Sequence, residues 1–281
     1  MCGFLGLYSL KSQSMHERFK NSLEIMNNRG PDNTSVSSYG LKGGHLTIGH
    51  KRLSILNVDT SGNQPMTSLD GRFTILFNGE IYNYVELTIE LKNLGYIFNS
   101  ASDTEALLYG WVEWRDKVLF KIKGMYSFVI IDNLSGEFYF YRDAFGIKPF
   151  YYFITKTNLI FSSDVHSINA LLKSTILDCN TVSDYLLFGN FDTGSSTFFK
   201  DINILRAGSY LKIKISKNSE ISLQNTEQTK WWLPSTVQTF DGSLNDAAEK
   251  LRHLFLQNIE LHLRSDVPVG AALSGGIDSS S

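Results

Sequence analysis

The residue pattern predicts an α+β fold built on antiparallel sheet, and three observations carry that prediction. Between Met125 and Phe161 four short runs, Tyr126-Ser127-Phe128-Val129-Ile130-Ile131-Asp132, Phe138-Tyr139-Phe140-Tyr141, Phe150-Tyr151-Tyr152-Phe153-Ile154 and Leu159-Ile160-Phe161-Ser162-Ser163, are separated by turns, as in an antiparallel sheet. Their aromatic density predicts a sheet with both faces covered, by helices and by a second sheet. Apolar residues also recur at helical spacing near residues 14–28, 83–94, 100–112 and 243–264.

Taken in order, Gly3-Phe4-Leu5-Gly6-Leu7-Tyr8 reads as a buried first strand, with Cys2 at its tip. Ser14-Met15-His16-Glu17 has capping-box spacing, and Phe19, Leu23 and Met26 continue a helix to about Asn28. Arg29-Gly30-Pro31-Asp32 ends it as a turn. Strand alternation resumes at residues 45–55; Arg52 there is either a solvated edge charge or a clamp for a carboxylate. Phe73-Thr74-Ile75-Leu76-Phe77 is a strand running into Asn78-Gly79-Glu80, read as a turn. Asn83-Tyr84-Val85-Glu86 then opens a helix with Leu87, Leu91 and Leu94 on one face. A strand-turn-helix junction offering an Asn carboxamide and a Gly N–H has the neutral donors of an oxyanion hole. Asp103 reads as the N-cap of the next helix, and its second oxygen leaves it free to hold an ammonium as well.

Further on, residues 209–215 alternate as a strand, and 216–228 are polar, so a boundary is placed there. Ser243-Leu244-Asn245-Asp246 caps an amphipathic helix to about Arg264 with Leu244, Ala248, Leu251 and Phe255 on one side. Val267-Pro268-Val269-Gly270-Ala271-Ala272-Leu273 reads as a buried strand feeding Ser274-Gly275-Gly276-Ile277-Asp278-Ser279, a turn suited to cradling phosphate but without a Walker ending.

Composition removes several classes of function. At 281 residues and 42% hydrophobic content the chain can bury a large core, and a net charge of -2 gives no electrostatic case for nucleic acid or an anionic membrane. No apolar run reaches the roughly 18 residues of a membrane span, so a soluble cytoplasmic protein is expected. The only cysteines are Cys2 and Cys179, too few for a disulfide scaffold; Cys179 is expected to be a small buried apolar residue. The six histidines lie in no recognisable Cys/His signature, and no metal ligands are expected.

Cys2 holds most of the chemistry. Loss of Met1 leaves it with both a thiol and an α-amine, whose ordinary pKa of about 7.7–8.0 lets it take and return a proton. The nucleophile then carries its own base.

The landmarks Cys2-Gly3, Arg29-Gly30-Pro31-Asp32, Arg52-Leu53-Ser54-Ile55, Phe77-Asn78-Gly79-Glu80-Ile81-Tyr82-Asn83, Ser102-Asp103-Thr104-Glu105, Arg142-Asp143 through Lys148-Pro149 and Ser274-Gly275-Gly276-Ile277-Asp278-Ser279 follow one another over essentially the whole chain. In that order they resemble the glutamine-hydrolysing asparagine synthetases. The resemblance implies a class II glutamine amidotransferase of the N-terminal-nucleophile hydrolase fold, a four-layer αββα sandwich, over residues 1–215. A linker over 216–240 and the start of an α/β ATP-pyrophosphatase domain over 241–281 would follow. It implies that Cys2 attacks the glutamine amide and that Asn78 and the Gly79 N–H hold the oxyanion. Arg52 would bind the α-carboxylate and Asp103 the α-ammonium, with Glu80 lining that pocket. Ser274, Gly275, Gly276, Asp278 and Ser279 would grip ATP with Mg2+ while aspartate is adenylated, and subunits would pair as a homodimer. The sequence given stops at Ser281, directly after the phosphate loop, so the synthetase half is expected to be incomplete, to bind ATP poorly and to expose apolar surface. Two other readings remain open at this point: an amidotransferase with a different acceptor, such as a sugar, and a non-catalytic truncated remnant.

Overall fold

The computed structural model describes residues 2–10, 16–173, 176–190, 194–216, 221–223, 227–234 and 240–280. In chain order the elements are β1 (Gly3–Ser9), α1 (His16–Glu24), β2 (Asn33–Leu41), β3 (Gly44–Arg52), β4 (Met66–Thr67) and β5 (Phe73–Ile81). Next come α2 (Tyr84–Asn93), α3 (Asp103–Trp114), β6 (Gly124–Asp132), β7 (Glu137–Arg142), β8 (Tyr151–Ile154), β9 (Asn158–Ser162), α4 (Val165–Leu172) and α5 (Cys179–Phe188). The last are β10 (Asn203–Ile204), β11 (Ser209–Ile215), β12 (Ile221–Leu223), β13 (Thr229–Lys230), α6 (Leu244–His262) and α7 (Ile277–Ser280).

Two antiparallel sheets form, in the orders β10-β8-β9-β1-β3-β2 and β12-β11-β7-β6-β5-β4. The four strand runs that pointed to one sheet divide between the two: β6 and β7 pair in the second, β8 and β9 in the first. Alternation along each strand explains the layering, since successive side chains face opposite ways. Phe4 and Tyr8 of β1, Leu76 of β5, Val129 and Ile131 of β6 and Phe140 of β7 meet between the sheets. Their neighbours Leu5 and Leu7 turn outward onto Phe19 and Leu23 of α1 and Ile168 of α4. On the other side Phe73, Ile75 and Phe77 of β5 pack against Leu87 of α2 and Leu107 and Trp111 of α3. The result is the expected α+β sandwich, helices outside two sheets.

Several local expectations are corrected. Asn78-Gly79-Glu80 is not a turn; β5 continues through it, paired with β6 in the register Asn78↔Ser127 and Gly79↔Tyr126. Ser102, not Asp103, caps α3 by accepting the Thr104 N–H, and Asp103 is the first helical residue. Asn83 precedes α2 without a side-chain cap; its carboxamide binds Lys121 and Lys123 backbone instead. Leu94 is exposed rather than buried. The polar stretch after β11 contains a strand, β12, paired to β11. Cys179 is exposed at the start of α5, not buried. The cap proposed at Ser14 and much of the 216–240 stretch lie outside the described residues.

α6 begins as the sequence predicts, with the Ser243 and Asp246 capping box, yet none of its 19 residues is buried. Residues 267–273 form no strand, and Val269 and Leu273 are exposed. No described helix is long and apolar enough to cross a membrane.

Candidate active site

β1 and β3 pair antiparallel in the register Gly3↔Lys51, which brings Cys2 alongside the end of β3. There the Leu53 N–H points at Cys2 Sγ (3.4 Å), and the thiol faces the Leu53 carbonyl (3.6 Å). Burial pushes the thiol above its ordinary pKa, with the Leu53 N–H and the Arg52 charge pulling the other way. A thiol held neutral in this way needs a base at the moment of attack.

Cys2 lines a pocket together with Arg52, Asn78, Gly79, Glu80 and Asp103. Six residues from four separate stretches of sequence therefore share one cleft. The free edge of β5 supplies much of it. Odd-numbered residues of this strand turn their backbone groups away from β6, and each turns to a different partner. The Phe73 carbonyl accepts from Ser68 N–H beside β4 (2.8 Å). Phe77 N–H donates to Gln64 Oε1 (2.6 Å), while its carbonyl meets His50 Nε2 (3.1 Å). Ile81 N–H donates to Asp103 Oδ2 (3.0 Å). Gly79 lies midway between Phe77 and Ile81 in this alternation, so its N–H is aimed across the same edge into the pocket. A side chain is excluded at Gly79, since a Cβ there would collide with the Met125 carbonyl.

Asn78 points to the opposite face, towards the layer between the sheets that contains Cys2. Its side chain is 1% exposed, and neither Nδ2 nor Oδ1 has a hydrogen-bond partner among the described residues. Leaving a buried amide unpaired costs about 1–3 kcal/mol, so a donor aimed into a pocket in this state is poised for a ligand.

His50 and Gln64 were not singled out from the sequence, yet they fix the backbone next to Asn78. Burial drops His50 to a pKa of about 4, so the ring is neutral, and its proton sits on Nε2 because a carbonyl only accepts. Gln64 also donates from Nε2 to Thr104 Oγ1 (3.3 Å), tying β5 to α3. Nothing in the single sequence marks a Gln in an irregular loop as a substitute for a strand neighbour.

Arg52 is buried at the end of β3, and its guanidinium organises the loop that follows. Nη1 donates to the Asp59 carbonyl (2.6 Å) and Asn63 Oδ1 (2.9 Å), and Nη2 to the carbonyls of Leu56 (3.1 Å) and Asn57. The terminal nitrogens are thus occupied by the loop, leaving the Nε–H and the net charge to act on the cleft. A free two-pronged clamp is not what this geometry presents.

Asp103 is pushed up to about 7 by burial first, with the Glu80 charge adding to the shift and Ile81 N–H and Arg52 opposing it. Burial also raises Glu80, against the pull of Lys148. Lys148, quoted from the sequence only within a loop landmark and given no site role there, also lines the pocket, and burial lowers its pKa. It reaches the cleft because Asp143 accepts its N–H (3.0 Å) and that of Ile147 (3.0 Å), while Arg142 donates to the carbonyls of Lys148 (2.9 Å) and Gly146 (2.7 Å). The Arg142-Asp143 pair knots that loop.

Ser274, Gly275 and Gly276 lie apart from this pocket, in an exposed turn with Gly275 at φ +80° that precedes the four-residue α7, to which Asp278 and Ser279 belong. No step is assigned to ATP at this turn. Among the described residues no cluster of His, Cys, Asp or Glu is placed to hold a metal ion.

A family model described as a glutamine amidotransferase domain matches residues 1–232, and one described as asparagine synthase matches residues 250–281. The chain is 33% identical to asparagine synthetase [glutamine-hydrolyzing] 1 of Bacillus subtilis, with all of the chain and 43% of that protein aligned. It is 31% identical to putative asparagine synthetase [glutamine-hydrolyzing] 2 of Methanocaldococcus jannaschii, with all of the chain and 56% of that protein aligned. The chain thus spans about half the length of these relatives. Glutamine phosphoribosylpyrophosphate amidotransferase from Bacillus subtilis shares the fold, with a TM-score of 0.54 over 81% of this chain and 50% of the other, at 17% identity.

Proposed function

The chain belongs to the glutamine amidotransferase domain family, and from that premise we propose that it hydrolyses glutamine at Cys2 to glutamate and ammonia. The observation that carries this reading is the buried, unpartnered Asn78 carboxamide beside the Cys2 thiol and the outward-facing Gly79 N–H. With Met1 removed, the Cys2 α-amine takes the thiol proton as sulfur attacks the side-chain amide carbon. The carbonyl electrons move onto oxygen, where Asn78 Nδ2 and Gly79 N–H stabilise the charge, each donor contributing about 3–4 kcal/mol in comparable sites. As the C–N bond breaks, the α-amine returns its proton to the leaving nitrogen, giving ammonia and a thioester. Water, deprotonated by the same amine, attacks the thioester; the proton goes back to sulfur and glutamate leaves.

The substrate's ends are read by charge. Asp103 receives the α-ammonium and Arg52 attracts the α-carboxylate, with Glu80 lining the pocket between them. We place the glutaminase domain over residues 1–215, a linker over 216–240 and the beginning of a synthetase domain over 241–281. The reading extends, by the resemblance to the asparagine synthetases, to ammonia delivered for ATP-dependent, Mg2+-assisted amidation of aspartate in a cytoplasmic enzyme. Pairing into a homodimer is part of the same proposal.

The test is glutamate release by the purified chain, with intact mass establishing that Met1 is gone. Cys2→Ala should abolish release while leaving the melting temperature unchanged. Activity that survives this substitution refutes the reading.

A further inference from the structure

Just beyond α6 the chain reaches back onto the pocket and grips both of its lips. Arg264 Nη1 donates to the Tyr82 carbonyl (2.8 Å), and its two terminal nitrogens meet the two oxygens of Glu86 at 2.6 Å each. Tyr82 directly follows β5, two residues after Glu80, and its ring lies against that of His262, tilted by 38° with centroids 3.9 Å apart. Two residues further on, Asp266 Oδ2 accepts the Asn57 N–H (2.6 Å), and the Asp266 N–H donates to the Ile55 carbonyl (3.0 Å). Ile55 and Leu56 line the pocket, and the carbonyls of Leu56 and Asn57 hold Arg52 Nη2. One three-residue stretch therefore joins the loop that cradles Arg52 to the corner between β5 and α2.

We propose that Arg264 and Asp266 are positioning residues of the glutamine pocket, a clasp that sets the distance between the Arg52 loop and the β5–α2 corner. The proposal rests on the reading of this cleft as the glutamine site. A stabilising role alone does not account for the arrangement. The Arg264–Glu86 pair is partly exposed, with side chains 29% and 55% accessible, and pairs open to solvent contribute little to folding. What the contacts do specify is geometry: residues 53–57 have no sheet or helix to fix them, and both the Asn57 N–H and the Ile55 carbonyl are met by Asp266. When the loop shifts, the carbonyls that hold Arg52 shift with it, and the charge that meets the substrate carboxylate moves. Substrate affinity, not the chemistry at Cys2, is the quantity the clasp controls.

The experiment compares the parent chain with Asp266→Ala, Asp266→Asn and Arg264→Ala. Three quantities are read: kcat and KM for glutamine, glutamine binding by calorimetry, and the rate at which iodoacetamide alkylates Cys2. Iodoacetamide carries neither end group of an amino acid and does not use Arg52 or Asp103. Asp266→Ala should raise KM and the dissociation constant by about fivefold, the worth of one hydrogen bond, with kcat within about twofold and alkylation unchanged. Asp266→Asn keeps an oxygen acceptor and should fall closer to the parent. Arg264→Ala should act in the same direction, and the double variant should show less than the product of the single effects, because both residues hold one gap. Unchanged KM in both single variants overturns the clasp, as does a loss of kcat with altered alkylation, which would mark general disruption. A parent chain that neither hydrolyses nor binds glutamine overturns the pocket reading and the clasp with it; a parent that does both, beside indifferent variants, overturns the clasp alone.

Discussion

Helices α3 and α6 start alike and end up in opposite surroundings. Each has a serine N-cap whose side chain accepts a backbone N–H, Ser102 for α3 and Ser243 for α6. Yet α3 buries every residue from Asp103 to Trp111, with Leu107, Leu108 and Trp111 in the cluster on β5, whereas α6, the longer helix, buries none. Capping is a local property, written in the residues themselves, but burial depends on what other segments supply. The contrast also separates the two candidate sites: the Cys2 pocket sits where α3 meets β5, and the candidate phosphate-loop residues sit beyond α6 on exposed chain.

If the pocket at α3 is built for catalysis rather than for stability, the largest effect should come from Asn78→Ala. Turnover should fall about 100- to 1,000-fold while thermal stability holds or rises, because the substitution removes a buried amide that has no partner. A large loss of stability with turnover intact would make Asn78 a structural residue and break the distinction. The packing side of the comparison is sharpened by a matched pair. Leu107→Ala, in the α3 core, should cost about 2–5 kcal/mol in denaturant unfolding, and Leu251→Ala on α6 should stay within about 0.5 kcal/mol.

Asp103 gives a pH test of the same buried end. Burial pushes its pKa up to about 7, so below that pH the free protein holds it neutral, and a substrate ammonium has no carboxylate to meet. KM for glutamine should then rise about tenfold per pH unit below 7, and Asp103→Asn should flatten that slope. Folding stability runs the other way. With its folded pKa above its unfolded one, Asp103 favours the folded chain increasingly as pH drops from about 7 towards the ordinary carboxylate range, so Asp103→Asn should lessen that gain in melting temperature. The smallest effect expected is at the caps: Ser102→Ala should cost about 1 kcal/mol of global stability, while Ser243→Ala should lower only the helical circular dichroism of α6.

The strands were legible where a covered face imposes alternation, as in β1, β3, β6, β7 and β11, and the α6 start was legible from Ser243 and Asp246. Asn78-Gly79 was misread as a turn because that dipeptide favours one locally; pairing with Ser127 and Tyr126 across 40 or more residues overrides the preference. Residues 267–273 were misread in the other direction: their apolar run reads as a buried strand, yet the segment is irregular and exposed. In the pocket, Cys2, Arg52, Glu80 and Asp103 stood out as charged or reactive groups in distinctive company. Gln64, His50 and Lys148 did not, since their roles arise from β5 lacking a neighbour at Phe77 and from the loop knotted by Arg142 and Asp143. Arg264 and Asp266 were invisible for the same reason, as each acts on residues more than 170 positions away.

The claim that Cys2 is the nucleophile of a glutamine pocket is tested most directly by treating the chain with a glutamine-shaped electrophile and mapping the adduct. Exposure alone favours Cys179, which lies open at the start of α5, over the enclosed Cys2 thiol. The account predicts a single adduct on Cys2, formed more slowly when glutamine is present. An adduct on Cys179 instead, or Cys2 labelling that glutamine does not slow, would contradict it.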